Sequence, residues 1–220
     1  KVVGVNAEGK DGHKVTRHAN KGVILATGGF AGNVEMRMKY CQSEKWPDLS
    51  AKVGTTNMPG VTGDGIYMAE DAGAELINMD QIQLLPYANP WTGATSDITL
   101  TYSASIYVNE NGERFVREDG RRDEMSLGII AQPDGLMYQV FSADAVPDPK
   151  TGKTLGDKTV AYYLENHLAG YVQADTLEGL AETLGMNPDT LKATIDDFNA
   201  CVRGEKTDDY GRITFTKELK

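Results

Sequence analysis

Eleven positions from Arg114 to Glu124 hold four arginines, Arg114, Arg117, Arg121 and Arg122, and four acids, Glu118, Asp119, Asp123 and Glu124. Two readings fit such a cluster. A guanidinium aimed into a cleft grips a carboxylate through its planar fork or delivers a proton, whereas charges paired along a solvated helix start do no chemistry. A second candidate chemistry is carried by the backbone. The runs Ala26-Thr27-Gly28-Gly29-Phe30-Ala31-Gly32-Asn33 and Thr62-Gly63-Asp64-Gly65 set glycines and capping side chains just ahead of helical patterns. Glycines there let a pyrophosphate or ribose approach the main chain, and the free amides of a helix start favour negative charge. Each run alone also reads as a plain turn or cap; the pair points to one large anionic cofactor.

Other chemistries have little to stand on. His13, His18 and His167 lack an acidic or cysteine neighbour at ligand spacing, and Cys41 and Cys201 lie far apart without a CxxC pattern. Neither a Ser-His-Asp triad nor a metal centre is expected. Met36, Met38 and Met68 read as packing.

The elements that must position these residues follow from periodicity. Val2–Val5 and Lys14–His18 predict a hairpin, and the continuous apolar run 22–26 predicts a strand buried on both faces that leads through the first glycine turn into a helix over 34–42, capped by Asn33. Residues 46–60 predict a loop and a seam. A second helix is predicted over 66–72, strands over 76–85 and 98–108, a turn at Glu110-Asn111-Gly112, a helix over 121–132 and a strand over 137–141. The C-terminal part predicts helices over 160–168, 177–184 and 188–202, the last with Asn187 as cap and Pro188 in its first position, then a strand over 213–216.

The whole composition sets outer bounds. The chain has 220 residues, of which 40% are hydrophobic and 25% charged, and 22 basic residues against 32 acidic give a net charge of -10. A mean hydropathy of -0.40 and a pI near 4.8 describe an ordinary globular chain that repels phosphate backbones and anionic lipid, so neither nucleic acid nor a membrane is an expected partner. No run approaches the roughly 20 apolar residues that a bilayer requires, and the first residues lack the apolar core of a signal peptide.

In order, the segments Val23–Asn33, Thr62-Gly63-Asp64-Gly65 with Met68-Ala69 and Gly73-Ala74, Gln83-Leu84-Leu85-Pro86, Ile106–Asn109, Gly112-Glu113-Arg114-Phe115 to Arg122-Asp123, and Thr176–Ala181 resemble the flavoprotein family of soluble fumarate reductases, flavocytochromes c and urocanate reductases. The resemblance implies an α+β or α/β architecture: residues 1–45 as the end of a Rossmann-like FAD-binding domain, 46–160 as a capping domain for substrate, and 161–220 as a helical return segment. It implies FAD as cofactor, held through Ala26, Thr27, Gly28, Gly29, Asn33, Thr62, Gly63, Asp64, Gly65 and Gln83. Family members also carry a GxGxxG unit and a final glycine-containing FAD segment that these residues do not show. The chain is therefore expected to be a middle piece that binds FAD weakly or not at all in isolation.

The resemblance further implies reduction of the C=C bond of a small unsaturated carboxylate, with a hydride from flavin N5, a proton from Arg122, and Glu118 and Asp123 behind that arginine. Electrons would come from a donor domain or protein. Where fumarate reductases carry a histidine for the second carboxylate this chain has Leu85, and where they carry a Glu and an Arg as proton relay it has Ile98 and Thr101. A monocarboxylate with a larger apolar or ring-bearing end is therefore expected, with Tyr87, Asp97 and Thr101 reading it. Two rivals remain at this point: a flavin-dependent dehydrogenase of the ketosteroid type, in which Arg122 is surplus, and a non-catalytic domain that binds a partner through its acidic face.

Overall fold

The computed structural model describes residues 1–42, 44–46, 48–50, 53–90, 93, 105–145, 165 and 170–220. They form two compact units, Lys1–Ile82 and Gln83–Lys220.

The first unit opens with a hairpin in which β1 (Gly4–Glu8) pairs antiparallel with β2 (Lys14–His18), from Gly4 opposite His18 to Glu8 opposite Lys14. Two short helices follow, α1 (Val34–Tyr40) and α2 (Asp64–Asp71). Asn33 caps α1 as expected, its side chain accepting from the Met36 amide at 3.0 Å. Met36, Cys41, Trp46 and Leu49 are buried, and the Trp46 indole donates to the Asp80 carbonyl at 2.8 Å, tying the loop after α1 to the end of the unit.

The run 22–26 does not form the expected strand. Ile24 is 91% and Leu25 51% exposed, and the backbone is irregular from Val23 to Gly29. An apolar run becomes a buried strand only where other strands flank it, and among the described residues none pairs with this one. Residues 76–85 are likewise irregular rather than a strand.

In the second unit β3 (Ser105–Val108) pairs antiparallel with β4 (Tyr138–Phe141), and between them lies α3 (Arg122–Ile130). The C-terminal helices α4 (Leu177–Leu184) and α5 (Pro188–Val202) match expectation, each with its cap: the Thr176 hydroxyl accepts from Gly179, and the Asn187 side chain accepts from Asp189 and Thr190. The period-2 alternation of β3 sends Ile106 and Val108 into a core with Val140, Ala181, Leu191, Ile195, Phe198 and Leu219. Gly112 is pressed against α5: its φ of 83° and the Leu191 backbone within 3.3 Å of where a Cβ would stand leave room only for glycine, and its carbonyl accepts from Thr194 at 2.8 Å.

Residues 213–216 carry no regular secondary structure instead of the expected strand. The segment is held by side chains. Asn199 of α5 donates to the Leu219 carbonyl and accepts from the Leu219 amide, both at 2.8 Å, reproducing with one amide group what a neighbouring strand would supply. Of the expected helix over 160–168 only Glu165 is among the described residues, and it is helical. Cys41 and Cys201 are free and buried, and burial is the main cause that pushes both thiols up, so neither is a poised nucleophile.

Asn199→Ala leaves the Leu219 amide and carbonyl buried without partners and should cost about 2–3 kcal/mol of unfolding free energy in urea titration. A cost below about 0.5 kcal/mol would show that the C-terminal segment is not held this way.

Candidate functional site

In the first unit the two glycine runs are built into one another. Gly32 donates its amide to the Val61 carbonyl at 2.8 Å, and the Asn33 side chain donates to the Thr62 carbonyl at 2.9 Å, so the residue that caps α1 also fixes the approach to α2. Gly63 has a φ of 87°, and a Cβ there would fall 2.2 Å from the Met36 sulfur; one on Gly65 would fall 1.9 Å from the Thr27 hydroxyl. These two glycines therefore permit the contact between the turns. Thr62 closes the device by donating to Asp64 Oδ1 at 2.8 Å.

What the contact leaves open is the backbone of Ala26, Thr27, Gly28 and Gly29, all exposed, with nothing within 4 Å of the position a Cβ on Gly29 would take. An uncovered main chain beside a hydroxyl suits a bulky group that bears phosphate and ribose. Asp64, in the first turn of α2, is exposed; its negative charge disfavours phosphate at that helix start and suits an acceptor for a ribose hydroxyl. Gln83, also expected to hold cofactor, is exposed and belongs to the other unit.

The arginine cluster of the second unit resolves into two layers. Arg114 is buried and clamped on both sides: its Nε and Nη2 reach Glu118 Oε1 and Oε2 at 2.8 and 2.7 Å, and Nη1 reaches Asp208 Oδ2 at 2.5 Å. Arg212 completes the group, donating to Glu118 Oε2 at 3.2 Å and to the Ser105 carbonyl at 2.8 Å. Both guanidiniums stack on Phe198, at 5.6 and 4.8 Å from its centroid, and Arg114 also lies over Tyr210, whose hydroxyl donates to the Arg114 carbonyl. Glu118 additionally accepts the Tyr107 amide.

Electrostatics follow the geometry. Burial alone would raise the Asp208 carboxyl, but hydrogen bonds from Arg114 and from the amides of Arg212 and Tyr210, with the Arg114 charge, outweigh it and hold the group below the ordinary carboxylate range. Asp119 is depressed in the same way, burial opposing and the Arg117 side chain and the Ile213 and Thr214 amides prevailing. Burial lowers Arg212, with the Glu118 charge working against it, whereas Arg114 is raised because Glu118 and Asp208 together overcome its burial.

Arg121 and Arg122 form the outer layer at the start of α3, both exposed. Asp123, expected to orient Arg122, pairs with Arg121, at 3.1 Å from Nε. Spacing explains the change: from the first turn of the helix the Asp123 carboxylate reaches back to the preceding cap residue, whereas adjacent residues diverge. Arg122 has no ion-pair partner among the described residues, so its fork is available to a ligand. Glu118, expected behind Arg122, lies within the buried network, four positions before it.

Tyr87 meets Tyr107 edge-on, with centroids 6.2 Å apart. The Tyr107 hydroxyl is fully buried, and burial, with the Tyr87 hydroxyl as the next cause, drives its phenol far above the ordinary range. Asp97, Ile98 and Thr101 lie outside the described residues. His13 and His18 are exposed on the hairpin, and no group of three or more potential metal ligands occurs among the described residues. No described helix is long and apolar enough to cross a membrane. Sequence reasoning missed Asp208 and Arg212, whose only local sign is a Asp208-Asp209-Tyr210-Gly211 turn; their partners lie 94 positions away.

The FAD binding domain family model matches residues 1–218. The chain is 36% identical over 216 residues to an NADH:acrylate oxidoreductase of Vibrio harveyi, covering 98% of this chain and 21% of that protein. It is 34% identical over 211 residues to a urocanate reductase of Eggerthella lenta, covering 94% and 33%. The open conformation of a flavocytochrome c3 fumarate reductase superposes with a TM-score of 0.67 at 28% identity, over 99% of this chain and 36% of that one. The chain belongs to the FAD binding domain family. It spans about a fifth to a third of the length of these two curated relatives.

Asp208 and Asp119, depressed in the folded state, contribute stability that is fully present above their unfolded value of about 3.9 and is lost as pH falls through the lower folded value. Unfolding free energy should hold from pH 7 to about 5 and fall below about 4, with a shallower acid limb in Asp208→Asn. An unchanged limb in that variant would remove Asp208 as a cause.

Proposed function

We propose that this chain is part of an FAD-dependent reductase that saturates the C=C bond of a small α,β-unsaturated monocarboxylate. The observation that carries the reading is Arg122: an exposed guanidinium at the first position of α3, without an ion-pair partner among the described residues, preceded by a loop anchored in a buried charge network. When bound, FAD supplies the two-electron chemistry. Arg122 grips the substrate carboxylate and delivers the proton to the α-carbon, a position from which a fixed guanidinium also stabilises the charge that builds on the acid.

The backbone of Ala26–Gly29 and the second turn, Thr62–Gly65 with Asn33, hold the cofactor. Their mutual packing supports that role, since a paired cradle is preorganised before the ligand arrives. Gln83 is a further candidate for holding the cofactor. Tyr87, with Asp97 and Thr101, reads the end of the substrate away from the carboxylate. Residues 1–45, 46–160 and 161–220 are assigned to the end of the FAD-binding domain, the capping domain and the helical return, and a donor domain or protein supplies electrons.

Leu85 narrows the substrate. An apolar side chain in place of a histidine offers no charge to a second carboxylate, which disfavours fumarate. Acrylate and urocanate, the acids in the names of the two relatives, each carry one carboxylate.

In the protein that carries this chain, oxidation of a reduced low-potential dye should proceed with acrylate, urocanate or cinnamate and be at least about tenfold slower with fumarate. Arg122→Lys should lower kcat by about 100-fold or more with flavin absorbance retained. Efficient fumarate turnover would contradict the reading of Leu85, and an active Arg122→Lys variant would contradict the role of Arg122 and favour a ketosteroid-type dehydrogenase.

A further inference from the structure

The loop that ends at Arg122 is fastened to the far end of the chain. Glu118 is reached by Arg114 and by Arg212, and Arg114 in turn by Asp208. One residue on, Asp119 accepts the backbone amides of Ile213 and Thr214 at 3.0 and 2.9 Å with Oδ2, while its Oδ1 accepts from Arg117 at 2.5 Å. Three more residues lead to Arg122. Between them Gly120 folds back, its amide on the Arg117 carbonyl at 3.2 Å, and the Arg121 amide donates to Glu124 at the start of α3. Asp208 is itself shaped for this: Oδ1 accepts the amides of Tyr210 and Arg212, which bends residues 208–212 so that Arg212 turns back onto Glu118.

We infer that residues 208–214 are a positioning element for Arg122, with Asp208, Arg212 and Asp119 as positioning residues that act through Glu118 and the loop 118–121; this rests on the reading of Arg122 as the residue that meets substrate. The energetics favour a rigid link over a merely adhesive one. Two arginines and two acids brought out of water repay their desolvation only in one arrangement, so the network has few low-energy alternatives and the loop inherits its precision. A guanidinium on an exposed helix start has long side-chain freedom of its own, and fixing the backbone beneath it is the contribution the fold can make.

The test is a double-mutant cycle in the protein that carries this chain, read as kcat and KM for the best substrate of the screen above. Asp208→Asn keeps the side-chain shape and the turn while weakening the grip on Arg114. It should lower kcat about tenfold with KM within about twofold, and in the Arg122→Lys background the same change should cost less than about twofold. Amide exchange at residues 121–126 should speed up about tenfold in Asp208→Asn while α5 stays protected, a readout independent of turnover. An equal fold-loss in both backgrounds, or no loss of kcat, overturns the inference. Arg122→Lys without effect on kcat would instead overturn the reading of Arg122 itself, so the two failures are distinct. Should Asp208→Asn not fold, Arg212→Lys, which keeps the charge and loses the fork, answers the same question by the same cycle.

Discussion

Four charges with almost no access to water, Arg114, Glu118, Asp208 and Arg212, are the constraint on which the second unit depends. Each would be costly to bury alone, and removing one partner of such a set typically costs about 3–5 kcal/mol. Their joint presence dictates three features of the fold: where β3 starts, because Arg212 takes the Ser105 carbonyl; how the loop before α3 turns, because Glu118 faces inward; and where the chain runs after α5, because Asp208 must meet Arg114. Phe198 lies under both guanidiniums and so joins the polar network to the apolar core.

The first unit rests on a different device, the absence of side chains. Gly63 and Gly65 let two turns from distant parts of the sequence touch, and Asn33 serves both by capping α1 and holding the Thr62 carbonyl. The contact leaves the main chain of Ala26–Gly29 uncovered.

Local signals were legible in proportion to how much of their cause is local. Capped helices such as 188–202, with Asn187 and Pro188 at its start, and the Glu110-Asn111-Gly112 turn follow from side chains that bond their own neighbours. The run 22–26 failed as a strand because strandness depends on partners, and residues 213–216 failed because Asp119 accepts the Ile213 and Thr214 amides that would otherwise ask for a ladder. The arginine cluster shows the same divide. Its composition was plain in the sequence, but the sorting of buried Arg114 from exposed Arg122 is set by Asp208 and Arg212, and the pairing of Asp123 with Arg121 is set by the helix start.

The most direct measurement is a crystal structure of the protein that carries this chain, with FAD and propionate, the saturated counterpart of acrylate. The account predicts the Arg122 guanidinium at about 3 Å from the propionate carboxylate, Arg114 still paired with Glu118 and Asp208, and the cofactor against the backbone of Ala26–Gly29. Propionate held by other residues, with Arg122 turned to solvent, would contradict it.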